Sequence, residues 1–310
     1  MRWKPRRLIP DDTKLPFMRW SRFGFFLSGI LCTLSIVLFI FKGLNYGIDF
    51  KGGTELQVRG TQTVQLDDLR NKLNNIGVGK VELQQMGTGN DVLIKVAALA
   101  GDPEGQITQK KVLEALGSNF EKRSANTVGG SVSSEYTQNA TGAVMLSILF
   151  VLAFLSFRFE WQFALGAVLS LLHDVTLSLG LFCLIGLEFN LSVVAAILTI
   201  IGYSLNDTVV VFDRIREYLR RYKVMGLADL IDFSINSVLP RTILTSMATM
   251  MALLALYLFG GEVIHGFTFA MIWGVIVGTY SSIFIAAPVL ILLGTKREIS
   301  ASEGKAAKRK

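Results

Sequence analysis

Three ionisable side chains stand inside otherwise apolar stretches: His173, Asp174 and Asp207. If those stretches cross a bilayer, an ionised group there costs at least about 2.5–3.5 kcal/mol on insertion scales, so the three ask for a chemical reason. His173 and Asp174 lie about 13 residues, ~20 Å at 1.5 Å per residue, into their stretch, near mid-bilayer. Asp207 belongs to the run Gly202-Tyr203-Ser204-Leu205-Asn206-Asp207-Thr208. Ser204 shares its helical face at i−3, and Asn206 and Thr208 flank it in a polar run able to hold water or relay a proton. Arg214 closes that stretch about seven residues on, which puts Asp207 roughly 10 Å inside the boundary. Arg241 follows Pro240 at the start of the next stretch, where its long side chain can snorkel outward as an anchor or reach inward to a carboxylate. A contact with Arg241 favours the charged form of Asp207, and apolar surroundings without it favour the protonated form, so alternation between the two loads and unloads a proton. One charge moved through 100 mV is worth about 2.3 kcal/mol, or roughly 50-fold in a two-state population. That is enough to bias a conformational cycle. His173 and Asp174 carry two open readings, a functional one and a structural one in which they hydrogen-bond across helices at about 0.6 kcal/mol per contact.

Other chemistries fit less well. A carboxylate pair made of Asp174 and Asp207 would serve an intramembrane aspartyl protease, since two carboxylates about 3 Å apart can share a proton. Against it, Gly-x-Gly-Asp is absent around both residues and the estimated depths differ by several ångströms. No zinc-type His-Glu-x-x-His occurs, and the two cysteines, Cys32 and Cys183, both lie in apolar blocks as small apolar side chains. No metal or cofactor is expected.

The elements that position these groups follow from hydropathy. The chain has 310 residues, 51% hydrophobic and 18% charged, with a mean hydropathy of +0.47. Such values exclude disorder, a collagen-like repeat and a cytosolic globular enzyme. About 20 apolar residues cross a bilayer, and six stretches qualify, near 23–41, 141–157, 161–185, 191–212, 242–260 and 266–293. The first follows Arg19 and Arg22 and lacks a small-residue cleavage pattern before Lys42, which reads as an uncleaved anchor.

Lys and Arg in short flanks set the direction. Seven precede the first span, six lie between 213 and 241, six follow the last span, and Arg158 marks the turn between the second and third. The opposite turns near 186–190 and 260–265 have none and carry Glu188 and Glu262. The expected plan is a cytoplasmic basic tail at 1–22, a first transmembrane helix at 23–41, a periplasmic domain at 42–140, a five-helix transmembrane region at 141–293 with a cytoplasmic loop at 213–241, and a second basic tail at 294–310. In the loop, Leu227, Leu230, Ile231, Ile235 and Val238 form one apolar face, as in a helix lying in the interface. The net charge of +7 lies wholly outside residues 42–140, where eleven bases meet eleven acids. The excess flanks spans, so membrane lipids rather than nucleic acid are the expected partners. Gly274 and Gly278 form a GxxxG in the last span, which permits close helix contact.

Between the first two spans, Thr54–Arg59 alternates as a strand and Leu66, Leu69, Leu73 and Ile76 recur at helical spacing. Val81–Gln85 and Val92–Val96 read as a hairpin around Gly87–Asp91, Ile107–Phe120 as a second helix, and 126–132 as a last strand. That order is the ferredoxin-like split βαβ arrangement, an α+β fold inserted into an α-helical membrane protein. It implies no chemistry of its own. Without histidine, cysteine or a phosphate-cradling loop, the domain is expected to bind or dock rather than catalyse.

Several motifs resemble the SecF side of the SecD/SecF family of bacterial Sec protein-export proteins, within the resistance-nodulation-division superfamily. They are Gly47-Ile48-Asp49-Phe50-Lys51-Gly52-Gly53-Thr54, Phe157-Arg158-Phe159-Glu160-Trp161, His173-Asp174, the run from Gly202 through Asp207 and Asp213-Arg214 to Glu217, and Arg241-Thr242. The resemblance covers the chain from about 20 to 297. The resemblance implies a non-enzymatic inner-membrane subunit, half of a resistance-nodulation-division-type bundle, that pairs with SecD, binds the SecY channel complex and uses the proton motive force to help draw a translocating preprotein to the outer face. By the same resemblance Asp207 is the proton-carrying aspartate and Arg241 the arginine near it, with His173, Asp174, Ser204, Asn206, Thr208 and Asp213 as supporting groups. Phe212 stands where the family often has a small residue. A proton-coupled small-molecule exporter is a rival, but about 90 residues of neutral outer domain are few for passing a solute.

Overall fold

The computed structural model describes residues 13–61, 65–79, 81–86, 90–98, 101–102 and 104–294. The outer ends of both basic tails and the turn at 87–89 therefore lie outside the described residues. In chain order the elements begin with α1 (Phe17–Phe41), β1 (Asn45–Tyr46), α2 (Ile48–Lys51), β2 (Gly53–Gly60), α3 (Leu66–Asn74), β3 (Val81–Met86), β4 (Asp91–Ala97), α4 (Gln106–Leu116) and β5 (Phe120–Val128). They continue with α5 (Gly130–Arg158), α6 (Trp161–Ile185), β6 (Glu188–Phe189), α7 (Leu191–Arg221), α8 (Leu227–Phe259), α9 (Glu262–Ser281), a π-helical turn at Ser282–Ala286, and α10 (Ala287–Leu293). The chain divides into a helical unit (Met1–Leu44, Leu146–Leu187, Ser192–Lys310) and an α+β unit (Asn45–Met145, Glu188–Leu191).

In the helical unit the described residues include six helices long and apolar enough to cross a membrane. Their centres fall where hydropathy puts them, but their ends run further. The first starts at Phe17, not 23, because α8 caps it: Asp232 Oδ1 accepts from Met18 N at 2.8 Å and Asn236 Oδ1 from Leu15 N at 3.0 Å. The segment 213–241, expected as a loop, is helical except at 222–226, since α7 runs to Arg221 and α8 starts at Leu227. The apolar face of residues 227–238 is not laid on lipid. Leu230, Ile231, Ile235 and Val238 are buried in one core with Phe159, Phe163, Phe212 and Ile215. Phe212 is fully buried and its ring meets those of Phe159 and Phe163 edge-on at 5.9 and 5.2 Å. Gly166 makes room for it, because a Cβ there would lie 3.3 Å from the Phe212 ring. The π-helical turn sits just before Pro288, where a wider turn accommodates the proline ring and the carbonyl oxygen that proline, lacking an N–H, leaves without a donor.

In the α+β unit the sheet order is β3-β4-β2-β5, with β2 antiparallel to both β4 and β5 and β3 antiparallel to β4. Strand, helix, strand, strand, helix, strand in that order is the ferredoxin-like split βαβ arrangement. Period-two alternation puts Leu56 and Val58 of β2 and Val92, Ile94 and Val96 of β4 into a core closed by Leu69 and Leu73 of α3 and Val112 and Leu116 of α4. Each such fully buried side chain contributes about 1.5–3 kcal/mol of transfer free energy. The second helix ends at Leu116 rather than 120, since Gly117 turns the chain at φ +74°, and β5 starts at Phe120 rather than 126. The last strand stops at Val128, and the polar residues that follow are already helical in α5, eleven residues before the apolar stretch would suggest. Gly53 begins β2 at φ +143°, and a Cβ there would collide with the Val96 carbonyl oxygen, so this position admits glycine alone. One strand pair has no counterpart in the sequence reading: β1 runs parallel to β6, with Asn45 opposite Glu188 and Tyr46 opposite Phe189. Thus the link between α6 and α7 belongs to the α+β unit, where Lys95 pairs with Glu188 and Asp49 Oδ2 accepts from Leu191 N at 2.9 Å.

Candidate functional site

Close helix packing assembles a polar network in the middle of the helical unit. Gly278 of α9 lies against Ser204 of α7, where a Cβ would come within 3.0 Å of the Ser204 Cβ, and Gly274 faces Ile200 one turn away. Gly180 of α6 lets Ser35 of α1 approach in the same way. Small residues are what permit such contact between membrane helices.

Asp174, 1% exposed, is the hub. Its Oδ2 accepts from Ser204 Oγ at 2.5 Å and Ser281 Oγ at 2.8 Å, and its Oδ1 lies 3.0 Å from His173 Nδ1. The other ring nitrogen, Nε2, lies 3.1 Å from Ser28 Oγ, which is 3.0 Å from Tyr280 Oη; that phenol in turn lies 3.0 Å from the Gly24 carbonyl oxygen. Ser170 Oγ reaches Ser281 Oγ at 2.9 Å. The network therefore joins α1, α6, α7 and α9. Hydroxyls and a neutral imidazole can each reverse donor and acceptor, so the line from Tyr280 through Ser28 and His173 to Asp174 can be polarised either way.

Asp207 stands apart from that network, although it lies one turn beyond Ser204 on the same face of α7. It is 3% exposed, and its Oδ2 is buried without a hydrogen-bond partner. Arg241, exposed on α8, interacts with it electrostatically, yet the two form no ion pair among the described residues. Thr208, next to Asp207 in the chain, is buried, and so is Thr242, which follows Arg241 and whose Oγ1 also lacks a partner. Asn206 is exposed and turned to the other side of α7. Asp213 lies elsewhere, with both carboxylate oxygens 2.8 Å from Arg158 Nη2. Of the residues singled out in the sequence, the fold brings His173, Asp174 and Ser204 into contact and leaves Asp213 outside. Ser28, Ser170, Tyr280 and Ser281 were missed. Their signal was a set of hydroxyls within apolar spans, among them Tyr280-Ser281-Ser282 just after the GxxxG. No group of residues able to hold a metal ion is present among the described residues.

Residues 108–296 match the family described as "Protein export membrane protein SecD/SecF, C-terminal", and residues 37–64 match the "SecD/SecF GG Motif", which contains Gly52 and Gly53. The chain is 40% identical over 296 residues to the protein translocase subunit SecF of Rickettsia bellii, covering 94% of this chain and 98% of that protein. It is 38% identical over 307 residues to the SecF of Rhodobacter capsulatus, at 94% and 92% coverage. It is also 42% identical over 301 residues to the SecDF of Brucella abortus, covering 96% of this chain but 40% of that longer protein. Among solved structures, the translocon-associated membrane protein SecDF from Thermus superposes with a TM-score of 0.84 at 33% identity over 93% of this chain, which spans 40% of that one. With a family match over more than half its length and SecF relatives aligned almost end to end, the chain belongs to the SecD/SecF family of protein-export membrane proteins.

Proposed function

We propose that this chain is the SecF half of a proton-driven export auxiliary. It pairs with SecD, engages the SecY channel complex and uses the proton motive force across the bacterial inner membrane to help draw a translocating preprotein to the outer face. Both termini lie in the cytoplasm and residues 42–140 in the periplasm, a direction that the excess of arginines and lysines in the flanks supports. The observation that carries the reading is Asp207: a carboxyl 3% exposed, with one buried oxygen unpartnered and a guanidinium on the next helix not yet engaged. Among the described residues nothing bonds that oxygen, which leaves it open to a proton when Arg241 withdraws and to the guanidinium when Arg241 approaches.

Two features support a SecD partner. The Brucella relative carries SecD and SecF in a single chain, of which this one matches 40%. Phe150 and Phe154 of α5 and Met247, Met251 and Leu254 of α8 leave apolar faces exposed, which a second helical subunit as well as lipid can cover. The protease reading loses support because Asp174 is bonded to His173, Ser204 and Ser281, and none of its bonds reaches Asp207. Asp207→Asn tests the proposal. Preprotein export by energised membrane vesicles falls while the variant still assembles with SecD; export that keeps its dependence on the proton gradient overturns it.

A further inference from the structure

At the end of the helical unit where α5 and α7 terminate, Arg158, Asp213, Arg216, Glu217, Arg220 and Arg221 line an open cavity of about 450 Å³. This falls within the roughly 300–1,000 Å³ usual for small-ligand sites. The positive-inside bias accounts for cations on this side of the membrane but not for their convergence on one cavity. Four guanidinium groups face two carboxylates, and both acids are already countered. Asp213 is held by Arg158, and Glu217 lies 2.8 Å from Nη1 of Arg214, which points to it from outside the cavity. Arg216 is half-buried; its Nη1 donates to the Arg158 carbonyl oxygen at 3.3 Å and its Nε is buried with no partner. Arg221 lies over the Tyr222 ring at 5.6 Å. No ion pair engages Arg216, Arg220 or Arg221 among the described residues, which leaves three guanidiniums for an anion.

We propose that this cavity binds the phosphate of an anionic phospholipid headgroup. Guanidinium forks match phosphate oxygens in geometry as well as charge. The choice of a lipid over a soluble phosphate rests on the neighbouring side chains. Phe157, next to Arg158, is 94% exposed and Trp161 is 61% exposed. An aromatic pair beside an arginine cluster at the end of a span suits an amphiphile, with rings at the acyl boundary and guanidiniums at the headgroup. An acidic peptide would use the cations and leave those rings in water. The motifs Phe157-Arg158-Phe159 and Asp213-Arg214-Ile215-Arg216-Glu217 thereby gain a shared role: Arg158–Asp213 fixes the wall, and Arg216, Arg220 and Arg221 take the ligand.

The test uses the full chain in nanodiscs of phosphatidylcholine or of phosphatidylcholine mixed with phosphatidylglycerol, counting phospholipid retained after detergent extraction by native mass spectrometry. A basic residue near a membrane surface is worth about fivefold in anionic-lipid affinity, so Arg220→Gln with Arg221→Gln lowers the preference for phosphatidylglycerol by about 25-fold. Lys110→Gln with Lys111→Gln removes the same charge from α4 and leaves the preference unchanged. Both doubles alter exposed side chains, and the folded fraction is checked by thermal melting. The proposal is overturned if wild type shows no preference for phosphatidylglycerol, if both doubles lose it equally, or if inorganic phosphate or a polyglutamate peptide displaces the lipid at comparable concentration. Unlike Asp207→Asn, none of these readouts depends on proton coupling, so either idea can fail alone.

Discussion

Replacing Asp174 separates two accounts of the buried network, one resting on charge and one on hydrogen-bond direction. In Asp174→Asn, the amide oxygen can keep the side that accepts from Ser204 and Ser281, and the amide nitrogen then faces His173 Nδ1 across the 3.0 Å now spanned by Oδ1. The imidazole adopts the tautomer protonated at Nε2, which donates to Ser28; Ser28 donates to Tyr280 and Tyr280 to the Gly24 carbonyl, over contacts of 3.1, 3.0 and 3.0 Å. Every group stays satisfied, so the asparagine variant loses less than about 1 kcal/mol. Asp174→Ala deletes three contacts at an average of about 0.6 and a maximum near 1.7 kcal/mol each, hence about 2 and at most about 5 kcal/mol. Ser281 softens the loss because the Gly278 carbonyl oxygen is within 3.1 Å. If a His173–Asp174 ion pair held the helices instead, removing one charge would cost about 3–5 kcal/mol in either variant. Reversible unfolding in mixed micelles, with ¹⁵N shifts of the His173 ring, measures both quantities. Equal destabilisation by asparagine and alanine, or a ring still protonated at Nδ1 in Asp174→Asn, would refute the directional network.

Gly278→Ala forces a methyl to within 3.0 Å of the Ser204 Cβ, against about 3.5–4.0 Å at optimum, so α7 and α9 must separate by roughly half an ångström. That overpacking costs about 1–3 kcal/mol, whereas Gly142→Ala, with nothing within 4 Å, causes no such loss; thermal melts of the two variants check it. In the α+β unit, burial first, then the nearby Glu188, pushes half-buried Glu55 above the usual carboxylate range, against the pull of Lys95. An acid whose folded value is raised destabilises at neutral pH and regains stability as pH falls through that value. Glu55→Gln therefore slows amide exchange in β2 and β4 at pH 7, with the gain fading in acid; a gain constant with pH contradicts this. Asp91 behaves oppositely. Hydrogen bonds from Arg59, at 2.7 and 2.6 Å, hold it below the usual range. The stability it gives is present above its unfolded value and is lost as pH falls through the lower folded one, below about pH 4. Exchange at the β2–β4 edge should accelerate there in wild type and less in Asp91→Asn.

The membrane class, the number of apolar helices and the order of strands and helices in the inserted domain were legible in the sequence, because burial against lipid or a small core writes its period directly into residue type. Helix ends were less legible. Nothing apolar marks the first turns of α5, and the face of residues 227–238 reads the same whether lipid or Phe159 and Phe212 cover it. Gly117 was a visible stop that a long run of helix formers obscured. Which groups would meet in the polar network was out of reach. His173 and Ser28 are 145 positions apart and Asp174 and Ser281 are 107 apart, and no periodicity within a segment reports what faces it across the bundle. The sequence determined that His173, Asp174 and Asp207 would have to be buried at a cost. Tertiary packing, through glycines that let α7 approach α9 and α6 approach α1, decided that Asp174 would be saturated with donors and Asp207 left with an unpartnered oxygen. A carboxyl's chemistry depends on the atoms within about 3 Å of it, and those are supplied by other helices.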